Sequence, residues 1–259
     1  MSHEARLLTA VPESDGAGSL ERASAILAAF DDEHRELSLA GLVRRTGLAR
    51  STTHRLATRM VALGWLEKPD DRYRVGTSML KLSGLVPLRH RLREAVLPFM
   101  QDLHEATRST VQLGVLDGPD VLIVEKIAGH RRMPMLSQVG GTVPAYCSSL
   151  GRSILAYSDA AVVDATLAAP MPARTARTLT SPDAVRRELV LVADRGYAVE
   201  LEEGNVGMNC IGAPVFGPLG DVAAAMSVTG PADIVRSERF GLAVRMAAAA
   251  ASRAYSRWK

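Results

Sequence analysis

The sequence predicts a mixed α/β (α+β) fold, with a small basic N-terminal domain and a larger domain built on a mainly antiparallel sheet. First, two short amphipathic helical patterns meet at Gly47. Second, two pairs of apolar runs flank turn residues, which is typical of β-hairpins. Third, helical patterns are interleaved with these hairpins, so helices should pack on the sheet. With 259 residues, of which 47% are hydrophobic, the chain can form two cores of ordinary size.

The composition argues against a secreted or membrane-spanning protein. Two cysteines, Cys147 and Cys210, are too few for a disulfide framework and fit a reduced cytoplasm. The N-terminus has no basic segment followed by an apolar run, so it does not resemble a signal peptide. No uncharged apolar stretch is long enough to cross a membrane. Residues 1–18 are polar and interrupted by proline and glycine, and we expect a disordered tail there.

A basic helix is predicted over residues 47–64. Leu56, Met60 and Leu63 recur at helical spacing and define an apolar stripe. A surface helix that only keeps the chain soluble would show a similar pattern, so the neighbouring segments decide the interpretation. The opposite face is polar and carries Arg50, Ser51, Thr52, His54, Arg55 and Arg59.

A shorter helix is predicted directly before it, over residues 39–46. Ser38 is suited to cap this helix, and Gly47 supplies the turn that follows. Two short helices joined by a glycine-containing turn form a helix-turn-helix, whose second helix enters the major groove of DNA. Contacts to base edges in the groove are therefore expected from Arg50, Ser51, Thr52, His54 and Arg55.

A β-hairpin is predicted after the second helix. Residues 65–68 and 72–75 alternate in polarity around the turn signal Pro69-Asp70-Asp71, and this hairpin would form a wing. From Arg44 to Arg74 there are eight basic and three acidic residues, a local charge of +5 in a chain of net charge +3. Phosphate contacts are expected from Arg44, Arg59, Arg72 and Arg74.

Three motifs in this region identify a family resemblance. They are Leu39-x-x-Leu42-x-x-x-Thr46-Gly47-Leu48-x-x-Ser51-Thr52-x-His54-Arg55-Leu56, Gly64-Trp65-Leu66 and Tyr73-Arg74-Val75-Gly76. They resemble the IclR family of bacterial transcription regulators, and the similarity covers roughly residues 19–255. The resemblance implies a winged helix-turn-helix DNA-binding domain over residues 19–76, a linker helix over 77–88 and a GAF-like effector-binding domain over 89–259.

The resemblance also implies how protomers assemble. In the family the linker helix is where protomers pair, and apolar residues between Met79 and Val86 recur here at helical spacing. Pro87 is expected to end or kink this helix. We therefore expect a homodimer on a near-palindromic operator. The family further suggests a dimer of dimers, a homotetramer, through the effector domains.

The elements of the C-terminal domain follow from apolar spacing, caps and turn residues. One hairpin is expected around Asp117-Gly118 and a second around residues 217–221. The basic loop 129–132 is interpreted as a solvated turn, although it could also touch DNA or a partner. The expected helices are 91–107, 148–157, 159–168, 181–195 and 237–258, and the expected strands are 110–116, 121–127, 133–139, 196–200, 210–216 and 222–228.

A cluster of polar residues in this domain predicts an effector site. Its members match the positions that line the effector pocket in the resembling family, namely Ser149, Leu150, Glu200, Cys210, Ser227 and Thr229. Ser149 and Leu150 replace a Gly-Ala pair, and Thr229 replaces a serine. We expect the free N–H groups at the helix start near Ser149 to suit a carboxylate. Ordinary strand hydroxyls satisfied by the backbone are the alternative interpretation.

The expected ligand is a small organic acid. The Glu200 carboxylate would repel it, unless Glu200 is protonated or faces a ligand hydroxyl. A hydroxylated or aromatic acid is therefore favoured over a bare oxo-acid, with Leu150 as an apolar wall. The expected function is a DNA-binding transcriptional regulator, a repressor, whose operator binding this acid modulates.

Sequence signatures of enzymes are missing, and no cofactor or metal is expected. The chain has no phosphate-binding loop, no dinucleotide-binding glycine motif and no nucleophile elbow. Its six histidines are scattered without ligand spacing. The alternative is a small-molecule enzyme with Cys210 as nucleophile, but no histidine follows His130 to serve as its base.

Overall fold

The computed structural model describes residues 18–31, 33–130, 137–235 and 237–257, without the side chains of 87–90, 237 and 238. The chain divides into two units, Met1–Val86 and Pro87–Lys259, each with its own core. Both contain helices packed on antiparallel strands, so the predicted fold class is confirmed. All of the predicted N-terminal tail except Gly18 lies outside the described residues.

The N-terminal unit is a helix-turn-helix with a small three-stranded sheet. Its core contains apolar side chains from the first three helices and from the sheet, including Ile26, Leu42, Leu56 and Tyr73. The elements in chain order are α1 (Ser19–Ala28), β1 (Leu37–Ser38), α2 (Leu39–Thr46), α3 (Arg50–Ala62), β2 (Leu66–Glu67), β3 (Arg72–Val75) and α4 (Thr77–Ser83).

The turn between α2 and α3 is set by a cap at each end of α2. The Ser38 hydroxyl accepts a hydrogen bond from the Gly41 N–H at 3.2 Å, as predicted for an N-cap. Gly47 ends α2 with a φ of 71°, a left-handed conformation that glycine adopts without steric cost. One residue differs from the predicted stripe of α3: Leu63 follows the helix and is 50% exposed, whereas Ala57 is buried.

The wing contains a strand that the sequence pattern did not predict. β1 pairs with β3, and β3 pairs with β2, so Leu37 lies opposite Tyr73 and Leu66 opposite Val75. Leu37 is buried in the core of this unit. A strand of two residues is too short to show an alternating pattern of polar and apolar residues. Its pairing also depends on a partner over 30 residues away, which no local pattern indicates.

The predicted helix over residues 77–88 is interrupted in the structure. α4 ends at Ser83 with Gly84 as its C-cap, and Pro87 begins the next helix instead of ending this one. Proline is favoured in the first turn of a helix, where its missing N–H has no partner to lose. Leu80, Leu82 and Leu85 are each more than half exposed, so the described residues of the N-terminal unit leave these side chains largely uncovered.

The C-terminal unit is built on a six-stranded antiparallel sheet with the order β6-β5-β4-β9-β8-β7. Its helices and strands in chain order are α5 (Pro87–Thr107), β4 (Thr110–Asp117), β5 (Asp120–Ile127), β6 (Thr142–Pro144), α6 (Ser149–Leu155), α7 (Ala160–Leu167), α8 (Pro182–Arg195), β7 (Ala198–Leu201), β8 (Met208–Phe216), β9 (Val222–Pro231) and α9 (Ser237–Ser256). A 3₁₀ turn, Ala145–Cys147, precedes α6.

The two faces of this sheet pack against different helices. Leu113, Ile211 and Met226 point to one face and join side chains of α5 and α9 in the larger core. The other face lies against α6, where Leu150 and Ile154 join a second core. This second face also carries the polar residues of the predicted effector site.

One predicted strand of the C-terminal domain is not found where it was expected. Of residues 133–139, positions 133–136 lie outside the described residues, and 137–139 are not in a strand. Instead β6 pairs with β5, with Val143 opposite Val121. Proline in β6 is tolerated because this strand forms the edge of the sheet. Among the described residues, no helix is long and apolar enough to cross a membrane.

Candidate DNA-binding helix and effector site

The polar face of α3 is presented to solvent. Thr53, Leu56, Ala57 and Met60 anchor the helix in the core. Ser51 and Arg55, one turn apart, follow the exposed side of the helix. Of the residues predicted to contact the groove, Arg50, Ser51, His54 and Arg55 are exposed and Thr52 is half-buried.

Several cations on this unit have no partner among the residues that the structure describes. Within the described ranges, Arg50 and Arg55 form no ion pair or side-chain hydrogen bond, so no described acid of the unit neutralises them. Free guanidinium groups suit bidentate contacts to guanine and to phosphate oxygens. The same holds for the predicted phosphate contacts Arg44, Arg59 and Arg72.

Arg74 differs from the other predicted phosphate contacts. Its Nε donates to Glu67 Oε2 at 2.9 Å, and Glu67 Oε1 accepts the backbone N–H of Thr77 at 3.1 Å. The Thr77 N–H, together with Arg74, lowers the pKa of the Glu67 carboxyl, which therefore stays charged. Glu67 thus connects Arg74 of the wing to the start of α4, and Arg72 is the freer cation.

Four of the predicted effector residues lie in two adjacent rows on one face of the sheet. In the first row Glu200, Cys210 and Thr229 are direct neighbours on β7, β8 and β9. In the second row Ser227 lies opposite Gly212. Residues two apart on a strand share a face, so the two rows are contiguous. All four are buried except Cys210, which keeps part of its surface accessible.

Hydrogen bonds connect the first row. The Thr229 hydroxyl is 3.2 Å from Cys210 Sγ and 3.4 Å from Gln112 Oε1. Glu200 Oε1 accepts the backbone N–H groups of Glu203 at 2.5 Å and Gly204 at 3.0 Å. One carboxyl oxygen of Glu200 is therefore committed to the chain that follows β7.

Burial raises the pKa of two groups in the site. Burial raises the pKa of the Glu200 carboxyl, although the Cys210 thiol and the backbone N–H groups of 203 and 204 partly offset this. Burial, with Glu200 beside it, raises the pKa of the Cys210 thiol well above its ordinary value. A neutral Glu200 can donate a hydrogen bond to a ligand. A neutral Cys210 is a poor nucleophile, so the enzyme alternative lacks an activated thiolate.

The start of α6 contacts the same face of the sheet. The Ser149 carbonyl oxygen would be 2.7 Å from a Cβ at position 212, so only glycine permits this close approach. Ser149 and Leu150 are buried, and Leu150 packs in the second core. Ser148, not Ser149, caps the helix and accepts the Gly151 N–H at 3.1 Å. One of the N–H groups expected for a ligand carboxylate is thereby occupied.

One buried hydroxyl on α6 lacks a partner. Ser153 lies one turn after Ser149, and its Oγ would be 3.1 Å from a Cβ at position 212. Among the described residues this Oγ has no hydrogen bond. An unsatisfied buried hydroxyl costs about 1–3 kcal/mol, so this hydroxyl is available to form a hydrogen bond with a ligand or a water molecule.

A buried ion pair beside the site was not predicted from the sequence. Arg152 is 1% exposed and forms a bidentate pair with Glu203, with Nη1 2.7 Å from Oε1 and Nη2 bonded to Oε2. Its Nε donates to the Tyr146 carbonyl at 2.9 Å. The available signal was a single charge within the apolar start of α6. Because Glu203 neutralises it, Arg152 is not free to bind an acid.

Three further polar residues adjoin the site and were also missed. Gln112 lies opposite Ser227 on one side and opposite Lys126 on the other. Its Nε2 donates to Ser137 Oγ at 2.7 Å, and Lys126 Nζ donates to the Ser137 carbonyl at 2.6 Å. A glutamine within the apolar run 110–116 was the available signal.

Two cavities lie elsewhere on the C-terminal unit. A cavity of about 140 Å³ reaches the first row only at Thr229 and is otherwise lined by residues such as Arg108 and His130. A second cavity of about 370 Å³ lies between α7 and α8, bordered by Val163 and Leu189. Within the described ranges, no three His, Cys, Asp or Glu side chains are placed to hold a metal ion.

The exposed basic helix beside a wing and the buried polar site together define a ligand-responsive, DNA-binding regulator of transcription. The sequence matches two family descriptions, the IclR helix-turn-helix domain over residues 19–70 and the bacterial transcriptional regulator IclR C-terminal domain over residues 86–257. The chain belongs to the IclR family of bacterial transcription regulators, which confirms the predicted resemblance.

Curated and solved relatives agree with this assignment. The glycerol operon regulatory protein of Streptomyces coelicolor is 32% identical over 82% of this chain and 84% of its own length. The transcriptional repressor IclR of Escherichia coli is 29% identical, over 94% of this chain and 92% of its own. The crystal structure of an IclR homolog complexed with 4-hydroxybenzoate, from Microbacterium hydrocarbonoxydans, is 29% identical, covers 92% of this chain and 99% of that one, and superposes with a TM-score of 0.84.

Proposed function

We propose that the chain is a repressor that binds a near-palindromic operator as a homodimer and releases it when a small organic acid binds the C-terminal unit. The observation that carries DNA recognition is the exposed face of α3, whose arginines have no partners among the described residues. One winged helix covers a short half-site, so two acting together supply the specificity that one lacks.

The proposed contacts follow the exposure of each side chain. Bases are contacted from α3, and phosphates from Arg44, Arg59 and Arg72, whereas Arg74 contributes less because Glu67 neutralises it. The base contacts are Arg50, Ser51, Thr52, His54 and Arg55.

The proposed dimer uses the apolar residues of α4 and the segment after it. Leu80 and Leu85 are 69% and 76% exposed, and a second copy would cover them. A dimer of dimers through the C-terminal units is proposed on the family resemblance alone.

The proposed effector is a hydroxylated or aromatic acid. Its site is the buried polar face formed by Ser149, Glu200, Cys210, Ser227 and Thr229, with Leu150 on the apolar side. A protonated Glu200 removes the repulsion that an ionised one would exert. A solved relative is described as complexed with 4-hydroxybenzoate, an acid of this class. We propose no catalytic activity, because the raised pKa of Cys210 disfavours its thiolate.

The test of DNA recognition is an Arg50→Ala, Arg55→Ala double variant. Removal of each bidentate interaction with a base should cost about 1–3 kcal/mol, so binding should weaken at least tenfold to an operator selected from random DNA. The matched control is Arg186→Ala, an arginine of α8 in the other unit, which should bind as the wild type does. Unchanged operator binding by the double variant would exclude α3 as the reading helix.

A further inference from the structure

The buried hydroxyl of Ser153 departs from a pattern that other serine and threonine side chains on the helices, and directly after them, follow. A hydroxyl at such a position is commonly satisfied by the backbone carbonyl four residues earlier. Bonds of this kind, 2.7 to 2.9 Å long, are formed by Thr46, Thr107, Ser158 and Ser252. Ser153 is 0% exposed, yet its Oγ has no hydrogen bond among the described residues, not even to Ser149 one turn earlier.

The position of Ser153 directs this hydroxyl toward the sheet. A Cβ at position 212 of β8 would be 3.1 Å from Ser153 Oγ, so the hydroxyl lies directly above this residue. Because residue 212 is glycine, the sheet has no side chain there that could bond to it. The hydroxyl therefore lies between α6 and the face of the sheet that carries the proposed effector residues.

A second unpartnered hydroxyl lies beside the first. Ser227 on β9 is the direct neighbour of Gly212, and the Cβ positions of such neighbours are about 4.5–5.5 Å apart. Ser227 is 1% exposed, and its hydroxyl forms no hydrogen bond with the residues that the structure describes. The hydroxyls of Ser153 and Ser227 thus flank position 212, and one oxygen atom placed between them is within reach of both.

The chemistry of two hydroxyls indicates which atom would satisfy them. Each hydroxyl carries one O–H donor, so a partner that accepts two hydrogen bonds satisfies both. A carboxylate oxygen carries no hydrogen and, when it is buried, needs donors in place of water. The guanidinium group of Arg152 is not available for this, because it already forms a bidentate pair with Glu203. A buried water molecule accepts the same two bonds, but its presence would be independent of the effector.

We propose that Ser153 is a specificity-determining residue of the effector site, and that Ser153 and Ser227 together donate to one oxygen of the effector carboxylate. This inference rests on the proposed function and adds a contact from α6 to it. Cys210 lies two residues from Gly212 on β8, and Glu200 is opposite Cys210. The rest of the ligand extends in that direction, along the same face of the sheet.

The unpartnered hydroxyl has opposite effects on stability and on binding. Without the effector, a buried hydroxyl that lacks a partner destabilises the folded protein, so its removal should not be destabilising. With the effector bound, the same removal takes away a hydrogen bond to a charged group, which weakens binding. A residue with only a structural role would instead lower the stability when it is truncated. A loss of stability in exchange for recognition is common at binding sites.

The experiment measures both quantities on the full-length wild type and on Ser153→Ala. Calorimetry with 4-hydroxybenzoate gives the affinity, and thermal unfolding without the acid gives the stability. We expect Ser153→Ala to bind the acid about 10- to 100-fold more weakly, the range for loss of a hydrogen bond to a charged group. Its Tm without the acid should be equal to or higher than that of the wild type. Benzoate, which lacks the ring hydroxyl, should show the same fold loss, since the contact is to the carboxylate.

Two further variants control the comparison. Ser158→Ala removes a hydroxyl shortly after α6 that is satisfied by the Ile154 carbonyl, so the affinity for the acid should stay at the wild-type value. Ser153→Cys keeps the shape of the side chain but donates only weakly. It should also bind the acid more weakly, and it gives the answer if Ser153→Ala fails to fold.

The outcomes separate this inference from the proposed function. Weaker binding of both acids by Ser153→Ala and Ser153→Cys, without a loss of stability in the alanine variant, supports the inference. If the wild type binds 4-hydroxybenzoate and Ser153→Ala binds it equally well, the hydroxyl holds at most a water molecule. The inference is then overturned while the proposed function stands.

Three other results would also overturn the inference. Weaker binding together with a lowered Tm would make the role of Ser153 structural. A loss of affinity for 4-hydroxybenzoate alone would place the ring hydroxyl, and not the carboxylate, at Ser153. If the wild type binds neither acid, the proposed ligand class fails and the inference fails with it.

Discussion

The two arginines of the wing, Arg72 and Arg74, differ in what each can offer to a phosphate. Arg72 is exposed and has no partner among the described residues, whereas Arg74 is paired with Glu67 at 2.9 Å. We expect Arg72→Ala to reduce the slope of log K against log salt by about 1, because one fewer counterion is released. Arg74→Ala should reduce it less. Anisotropy titrations on one operator across a salt series measure both slopes, and equal reductions would contradict this assignment.

Glu200 makes the stability of the C-terminal unit depend on pH. Its folded pKa is raised by burial above the ordinary value of 4.5, so the folded state holds the proton more tightly than the unfolded state. The stability it contributes is present below pH 4.5 and is lost as the pH rises through the folded pKa. Glu200→Gln has no charge to bury and should escape this loss.

Urea unfolding of wild type and Glu200→Gln at several pH values tests this linkage. The stability advantage of the variant should grow as the pH rises above 4.5 and then level off. An advantage for Glu200→Gln that is constant with pH would mean that Glu200 does not titrate in this range.

At this scale the sequence predicted which residues are polar and exposed, but not which of them pair. The polar face of α3 follows from helical spacing, and Ser227 and Thr229 share a face because they are two apart. The Arg152–Glu203 pair joins residues 51 apart, and no local pattern encodes such a contact. For the same reason the pairing of Arg74 with Glu67 appears only once the register of β2 and β3 is known.

Among the elements, the start of α6 and the chain after β7 are held together by one buried ion pair. Arg152 reaches from α6 to Glu203, and Glu203 also accepts the Leu179 N–H at 3.3 Å. We expect Arg152→Met to destabilise the protein by about 3–5 kcal/mol, because Glu203 is left buried without its partner.

A double variant separates the contribution of the ion pair to stability from the contribution of the packing around it. Arg152→Met with Glu203→Leu removes both charges, so it should recover much of the stability that the single variant lacks. Urea unfolding of wild type, both single variants and the double variant gives the coupling free energy. If the two single effects simply add, the pair is not the connection described here.

Elements with local signals were predicted well, and short elements without them were not. Ser38 caps α2 as expected, and Ser181 caps α8 in the same way, since a cap acts within three residues of itself. β1 and β6 have two and three residues, and their partners lie far along the chain. Pro87 was assigned to the end of a helix instead of its start, because proline is compatible with both positions.

For the whole molecule, regulation requires that the C-terminal unit and the DNA-binding unit influence each other. A ligand shifts an equilibrium only by the difference between its affinities for the two states. The effector must therefore bind more weakly when the protein holds its operator, and by linkage the operator must bind more weakly when the effector is present.

The measurement that tests this claim most directly is operator release by an acid, on wild type and on Ser227→Val. Ser227 is 1% exposed in the middle of the polar face, and valine removes its hydroxyl with only a modest increase in volume. We predict that a hydroxylated aromatic acid releases the wild type from DNA and that the variant needs at least a tenfold higher concentration, while binding DNA normally without the acid. Release of both proteins at the same concentration would place the effector site elsewhere and contradict the proposed mechanism of regulation.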